Sequence, residues 1–200
     1  MISFYKKILA LCVAVLFAQS LVADEQIDLK NRFLEKIKEV TLIVENKELS
    51  KDERNRNIVK SLTPMFDFEL MAKLSLGTAW RELSQENADK FVELYVERMK
   101  HSYSAKIDAY EDEKVEVKSI DQPQPNRIAL VTDLVSKEEK LEIVYKYHKP
   151  KTKAADKDEW LIYDVEIIGV SILKTDRAQF KEFLRTKSIV DLMDALAKQS

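Results

Sequence analysis

The sequence predicts an α+β fold, a single domain in which helices pack against an antiparallel sheet. In the first half of the chain, apolar residues recur with the period of an α-helix. After Glu113 the pattern changes to the alternation of apolar and polar residues that is typical of strands. The 200 residues are 46% hydrophobic and 34% charged, which is enough apolar material for one core.

Residues 1–23 have the three parts of a secretory signal peptide. Two lysines come first, residues 8–17 form an apolar run, and small residues follow it. We expect cleavage after Ala23, with cleavage after Ser20 as the second choice. An uncleaved anchor is the alternative, but the run is shorter than the about 20 residues that span a bilayer. The working domain is therefore expected to comprise residues 24–200.

The single cysteine of the chain, Cys12, lies inside this leader. Leu11 precedes it where a lipoprotein needs a small residue, so we do not expect lipidation. The working domain then has no disulfide, no thiol nucleophile and no cysteine ligand for a metal. Without the leader's Lys6 and Lys7, the net charge falls from −2 to −4. A nucleic-acid binder would usually be basic, so this class is not favoured.

Four helices are predicted before the strands. Helical spacing covers residues 26–44, and a capping box that begins at Ser50 starts a second helix that ends before Pro64. A short third helix is predicted over residues 66–74, and a long fourth one follows Ser84 as its N-cap. Along this fourth helix, aromatic and apolar residues recur every four positions and form one stripe: Phe91, Tyr95, Met99, Tyr103 and Ile107.

Strands are then predicted over residues 114–120, 127–136 and 141–148, with a proline-rich turn after the first. A last extended stretch, residues 159–172, is interrupted at Gly169, where we expect a bulge or bend.

Two short helices end the chain. Asp176 with Gln179 is predicted to cap the first, and Ser188 with Asp191 the second. Helices followed by a meander of strands favour the α+β class.

The sequence lacks the motifs of the common metal-binding, phosphate-binding and catalytic sites. His101 and His148 have no partner at metal-ligand spacing. Gly77 and Gly169 are the only glycines, so a glycine-rich phosphate loop cannot form, and no G-x-S-x-G elbow is present. We therefore predict no catalytic residue and no metal site.

One acidic residue, Asp164, interrupts an apolar strand, and Arg177 follows at the start of the next helix. Buried charges are normally paired, so we predict a structural ion pair between Asp164 and Arg177. The alternative is an enzyme on a similar scaffold, for which Asp164 with Tyr163 is the candidate acid–base pair.

The predicted strands contain more apolar residues than a sheet with only one buried face requires. Residues 127–135 and 160–167 are apolar on both faces, which predicts strands covered on both sides. One explanation is a well-filled core, which patterning alone favours. The other is a cavity between sheet and helices that accepts lipid tails.

Two separated motifs resemble the signatures of the MlaC family, periplasmic phospholipid carriers that are also called toluene-tolerance proteins. The first is Phe-Asp-Phe-Glu-Leu-Met-Ala-Lys at residues 66–73, continued by the Leu-Gly and Trp-Arg pairs of residues 76–81. The second spans residues 160–171 and is followed by residues 177–180. The resemblance covers residues 27–196.

The chain departs from the family pattern in two places. Ser188 stands where the family often has a glycine before the final helix, and the lysine-rich loop, residues 149–157, is longer than usual. The lysines of this loop either dock an anionic headgroup or an acidic partner, or belong to a solvated hairpin loop.

The resemblance implies an NTF2-like curled antiparallel sheet packed against helices around an internal apolar cavity. It implies a bound phospholipid as cargo, with its acyl chains inside and its headgroup outside, and no other cofactor. The implied partners are an outer-membrane lipoprotein–porin complex and an inner-membrane ABC transporter with its ring protein. The implied role is the maintenance of outer-membrane lipid asymmetry from the periplasm, without catalysis.

Two other functions stay open beside this one, a periplasmic chaperone or lipoprotein carrier and a structural subunit without a ligand. For the lipid carrier, the predicted pocket residues come from the helices and strands of both motifs and the segment between them: Phe68, Leu70, Leu74, Trp80, Tyr95, Met99, Tyr103, Leu130, Ile143, Tyr145, Ile162, Val165 and Ile167.

Overall fold

The computed structural model describes the backbone of residues 2–107, 113–137, 139–152 and 154–198. Side chains are described from residue 24 onward within these ranges, except for residues 103–107.

Six α-helices lie within the described residues, and two 3-10 turns flank the third. The helices are α1 (Ile2–Glu45), α2 (Lys51–Leu62), α3 (Phe68–Leu76), α4 (Gln85–Ile107), α5 (Ile172–Phe183) and α6 (Ile189–Ala197); the 3-10 turns are Thr63–Met65 and Gly77–Glu82.

Two helix starts form as their local sequence predicts. The Ser50 hydroxyl accepts a hydrogen bond from the Glu53 N–H at 3.3 Å, and the Glu53 carboxylate accepts one from the Ser50 N–H at 3.0 Å. The same reciprocal capping box joins Ser188 and Asp191. Both predicted caps are therefore confirmed.

Five antiparallel strands follow one another in space in the order in which they occur in the sequence. Register shifts interrupt the β1–β2 and β3–β4 ladders, and such irregularities bend a sheet. The predicted α+β class with a curled antiparallel sheet is confirmed. The strands are β1 (Lys114–Gln124), β2 (Arg127–Val135), β3 (Lys140–His148), β4 (Leu161–Ile167) and β5 (Val170–Ser171).

The predicted break in the last extended stretch is a two-residue hairpin turn. Ile168 has φ 50° and Gly169 has φ 76°, so both turn residues are left-handed, as in a type I′ turn. The turn lets β5 pair back onto β4, with Ile167 opposite Val170.

The prediction that Asp176 caps α5 is wrong. The helix begins at Ile172, and Ser171 is the N-cap, whose hydroxyl accepts a hydrogen bond from the Lys174 N–H at 3.0 Å. Asp176 lies within the helix and is buried. Its carboxylate accepts hydrogen bonds from the Tyr95 hydroxyl and the Arg98 guanidinium, both at 2.9 Å.

The fold contains two apolar cores. One lies among α3, α4, α5 and α6 and contains Phe91, Tyr95 and Phe180. The other lies between α1 and the inner face of the sheet and contains Phe33 and Leu130. The second core is incompletely filled, and its empty part is the site described below.

Replacing Gly77 by alanine should destabilise the fold. Gly77 ends α3 at φ 60° and ψ −120°, and a Cβ there would lie 3.1 Å from Nε and Nη2 of Arg177. We expect the free energy of unfolding in urea to fall by about 2 kcal/mol, because the backbone region excludes side chains. Gly169→Ala is the matched control. It has a positive φ but no atom within 4 Å of the added Cβ, so it should cost about 1 kcal/mol. Equal losses would show that neither the backbone region of Gly77 nor the Arg177 contact adds to the cost of a positive φ.

Candidate functional site

A cavity of about 1040 Å³ lies between α1, α2 and the inner face of the sheet. Its wall is mainly apolar, and seventeen of its lining residues carry apolar or aromatic side chains: Phe33, Ile37, Val40, Val44, Val59, Leu62, Met65, Phe66, Phe68, Val115, Leu134, Leu141, Ile143, Tyr145, Ile162, Val165 and Ile167.

Sequence periodicity explains why this wall is apolar. On α1, Phe33, Ile37, Val40 and Val44 follow one another at spacings of three and four, so they share one helix face. On the strands, alternate residues point to the same side, which brings residues such as Ile143 and Tyr145 to the inner face. The cavity is thus bounded by a helix stripe and a sheet face that are in contact at Phe33 and leave an open space along the rest of the stripe.

Four aromatic rings form part of the cavity wall. The Phe33 and Tyr145 ring centroids are 4.9 Å apart, and the Phe66 and Phe68 rings stack with centroids 5.2 Å apart. Burial raises the pKa of Tyr145 to about 12, although a hydrogen bond with Thr132 lowers it. The Tyr145 hydroxyl is therefore neutral at physiological pH and adds no charge to the cavity wall.

Asp67 fixes the two phenylalanines on either side of it. Its carboxylate caps α3 by accepting a hydrogen bond from the Leu70 N–H at 2.9 Å, and it lies 2.7 Å from Nε2 of His148. Burial raises the pKa of Asp67, and the hydrogen bonds with His148 and with the Leu70 N–H lower it by more than burial raises it. The pKa of Asp67 is therefore below its usual value. The Asp67 N–H also donates to the Ile162 carbonyl at 2.9 Å, which ties this loop to the sheet.

Two lysines of the 149–157 loop bind the protein itself. Lys149 Nζ lies 2.7 Å from carboxylate oxygens of both Glu25 and Glu159. Lys157 Nζ donates to the carbonyls of Thr63 at 2.9 Å and Phe66 at 3.1 Å, beside the cavity. Lys151 is exposed, and Lys153 lies outside the described residues. Lys157 therefore supports the cavity wall, a role that neither sequence-based hypothesis included.

The polar part of the lining is small and comes mostly from element ends. The last two turns of α1, the second half of α4 and the start of β1 supply most of it. The polar lining residues are Lys36, Thr41, Glu45, Thr63, Lys100, Glu113 and Lys114.

Six of the thirteen predicted pocket residues line the cavity, and all but one of them belong to β3 and β4. They are Phe68, Ile143, Tyr145, Ile162, Val165 and Ile167.

The other predicted pocket residues lie elsewhere. Trp80, Tyr95 and Met99 belong to the helical core, because α3, α5 and α6 cover the stripe of α4 and separate it from the sheet. Leu130 is fully buried in the filled part of the second core. The half-buried residues of α3, Leu70 and Leu74, are not part of the lining, and the side chain of Tyr103 lies outside the described residues.

The contribution of α1 and α2 to the cavity was not predicted from the sequence. Val40, Val44, Val59 and Leu62 line it, although none belongs to either family motif. The apolar stripe of the first helix was the available signal, but a stripe indicates burial without identifying the element that it faces.

The prediction that Asp164 forms an ion pair with Arg177 is wrong, because Asp164 binds other residues. Asp164 accepts hydrogen bonds from the Ser171 hydroxyl at 2.9 and 2.8 Å and from the Leu173 N–H at 3.1 Å, and it pairs with Lys146 at 3.2 Å. The carboxylate thus meets the start of α5. Arg177 lies about 7.5 Å further along that helix and is exposed.

The candidate acid–base pair of Asp164 and Tyr163 does not line the cavity. The Tyr163 ring instead packs edge-on against His148 and lies under the Arg127 guanidinium, 4.8 Å from its centroid. Within the described part of the chain, no group of three His, Cys, Asp or Glu residues has the arrangement of a metal site. A search of the same residues finds no helix with the length and apolar character of a membrane span.

Residues 34–198 match a family model that is described as MlaC protein. Among solved structures, a similar one is a phospholipid-binding protein from Ralstonia solanacearum in complex with a phospholipid. The TM-score is 0.71 at 14% sequence identity, and the match covers 87% of this chain and 95% of that chain. At this identity the likeness establishes a shared fold. A search of curated proteins finds no match.

Proposed function

Because the chain belongs to the MlaC family, we propose that it is a phospholipid carrier that holds the acyl chains of its cargo in the cavity. The observation that carries this proposal is the cavity itself, about 1040 Å³ in volume with a mainly apolar wall. Sites for drug-sized ligands occupy about 300–1,000 Å³, so this cavity suits a larger apolar ligand. The phospholipid bound to the structurally similar Ralstonia solanacearum protein supports the same assignment.

The energetics favour exchange with membranes over irreversible capture. Transfer of about thirty methylenes from water, at about 0.8 kcal/mol each, would release more than ~20 kcal/mol. This exceeds the ceiling of non-covalent affinity, so water is not the useful reference state. A bilayer is as apolar as the cavity, and transfer between the two is therefore nearly balanced. The net direction of phospholipid transfer must therefore be set by the proteins with which this carrier exchanges lipid.

We place this carrier in the periplasm after removal of the leader near Ala23. Its proposed partners are an outer-membrane lipoprotein–porin complex and an inner-membrane ABC transporter with its ring protein. Exchange of phospholipid between them would maintain the lipid asymmetry of the outer membrane. The pocket residues proposed to contact acyl chains are the six sequence-predicted residues that line the cavity, together with the apolar residues of α1 and α2.

Analysis of co-purified cargo tests the proposal. We expect protein exported from a Gram-negative host and purified without detergent to carry phospholipid, detected by native mass spectrometry and by extraction into organic solvent. An acylated peptide as cargo would favour a lipoprotein carrier instead. Protein that is entirely free of cargo would contradict the proposal, because an apolar cavity of this size should not remain empty after contact with membranes.

A further inference from the structure

Helix α2 is a thinly anchored part of the cavity wall. Of its twelve residues only Ile58 and Ser61 are buried, although Val59 and Leu62 line the cavity. The helix packs mainly against α1. Few buried apolar contacts are typical of a segment that opens locally while the rest of the fold stays intact. The contacts at the ends of α2 therefore carry much of what holds this wall in place.

The C-terminal end of α2 is held by two residues that do not line the cavity. Lys157 Nζ donates hydrogen bonds to the Thr63 carbonyl at 2.9 Å and to the Phe66 carbonyl at 3.1 Å. The Asp158 N–H donates to the Pro64 carbonyl at 3.3 Å. Three carbonyls of the turn that follows α2 thus accept hydrogen bonds from two consecutive residues of the segment before β4.

A cation suits this position. The last carbonyls of a helix have no partner within the helix and form the negative end of its dipole. Thr63 is the C-cap of α2, so the Lys157 ammonium binds directly at this end. Hydrogen bonds from a charged donor are stronger than neutral ones. The same ammonium lies 6.0 Å from the centroid of the Phe68 ring, so one side chain reaches both α2 and α3.

These contacts can break without a large penalty from burial. Lys157 is half-buried, and residues 154–156 before it are exposed. When the ammonium moves away, water can hydrate both the ammonium and the carbonyls that it leaves. The contact between Lys157 and the end of α2 is therefore strong enough to hold the wall and remains reversible.

We propose that Lys157 is a latch that holds α2 and the turn at residues 63–66 closed over the cavity, and that its release sets the rate of cargo exchange. This inference rests on the proposed function and adds the control of loading and release. When the latch opens, Val59 and Leu62 move away from the sheet with α2, while α1 and the strands keep their positions.

A latch of this kind controls rates and leaves the affinity unchanged. Because Lys157 does not line the cavity, it closes the empty and the filled carrier alike. Loss of its hydrogen bonds destabilises both closed forms equally relative to the open form. Loading and release then accelerate by the same factor, and the equilibrium distribution of phospholipid between protein and vesicles stays the same.

Transfer kinetics of Lys157→Met test the latch, because methionine keeps an apolar stem and removes the ammonium donors. The exported protein, stripped of cargo, is loaded with pyrene-labelled phosphatidylglycerol from dioleoylphosphatidylcholine vesicles, and release into unlabelled vesicles is followed by fluorescence. Loading and release should both be about tenfold faster than in the unmodified protein, because the closed form loses two hydrogen bonds from a charged donor. The amount bound at equilibrium should be the same.

Two further variants serve as controls. Lys151→Met removes an exposed lysine of the same loop and should exchange lipid at the unmodified rate. Lys157→Arg keeps a cation with several donors and should restore slow exchange. Unchanged rates in Lys157→Met would overturn the latch and leave the carrier function standing. Lower equilibrium loading without faster exchange would also overturn it, because Lys157 would then only maintain the shape of the cavity.

Hydrogen exchange of the cargo-free protein tests the latch without any lipid. In the unmodified protein, the amides of α2 should exchange faster than those of β3. Lys157→Met should accelerate exchange in α2 about tenfold and leave β3 unchanged. Equal protection of α2 and β3 in the unmodified protein would overturn the latch, even if Lys157→Met failed to fold. Failure of the unmodified protein to take up phospholipid would overturn the carrier function and, with it, the control of exchange.

Discussion

Filling the cavity from both walls should prevent loading with phospholipid. Ile37 on α1 and Ile143 on β3 line the cavity from opposite sides, and Ile37→Trp/Ile143→Trp would place two indole rings in the empty space. Each methylene that is displaced into water costs about 0.8 kcal/mol, so the loss of only a few reduces uptake by more than tenfold. We expect at least a tenfold drop in phospholipid per protein after incubation with vesicles.

The stability of this variant separates a blocked cavity from a damaged fold. Large residues inserted into a filled core cost about 1–3 kcal/mol. The two indole rings would occupy space that is already empty, so the Tm of the cargo-free protein should not fall. Val190→Trp, on an exposed position of α6, is the matched control and should load normally. Normal loading of the Ile37/Ile143 variant would show that the acyl chains lie elsewhere.

Local signals in the sequence predicted the helix starts well. The capping boxes at Ser50 and Ser188 depend on residues three positions apart, and both form as expected. The cap assigned to Asp176 failed because Ser171, five residues earlier, meets the same requirement next to a hairpin turn. An N-cap candidate can thus be recognised locally, but a choice between two candidates depends on where the preceding strand ends.

The periodicity of the sequence did not predict which elements pack against each other. The stripe that contains Tyr95 and Met99 was correctly expected to be buried, but it faces α3, α5 and α6 and not the sheet. Conversely, the stripe of α1 that includes Val40 faces the cavity. A period of 3.6 residues defines a face, and only the chain topology decides what covers it. This is why the strand residues of the cavity were predicted better than the helical ones.

Replacing Asp164 by alanine should cause one of the largest stability losses of any single substitution. Asp164 is 3% exposed, and its carboxylate is bound by the Ser171 hydroxyl, the Leu173 N–H and Lys146. Its removal leaves the first turn of α5 and a partly buried ammonium without their acceptor. Breaking a buried pair costs about 3–5 kcal/mol, and because Lys146 keeps its second partner, Glu166, we expect about 3 kcal/mol.

Urea unfolding of three variants identifies which of these contacts matters most. Asp164→Asn keeps one carbonyl acceptor for α5 and should lose less than Asp164→Ala, whereas Lys146→Met removes only the ion pair and should lose least. A loss below about 1 kcal/mol for Asp164→Ala would mean that the buried carboxylate is not needed to hold α5. Asp164 is not part of the cavity lining. The folded fraction of Asp164→Ala should therefore still load phospholipid, because its role is to fix α5 to the sheet and not to contact the cargo.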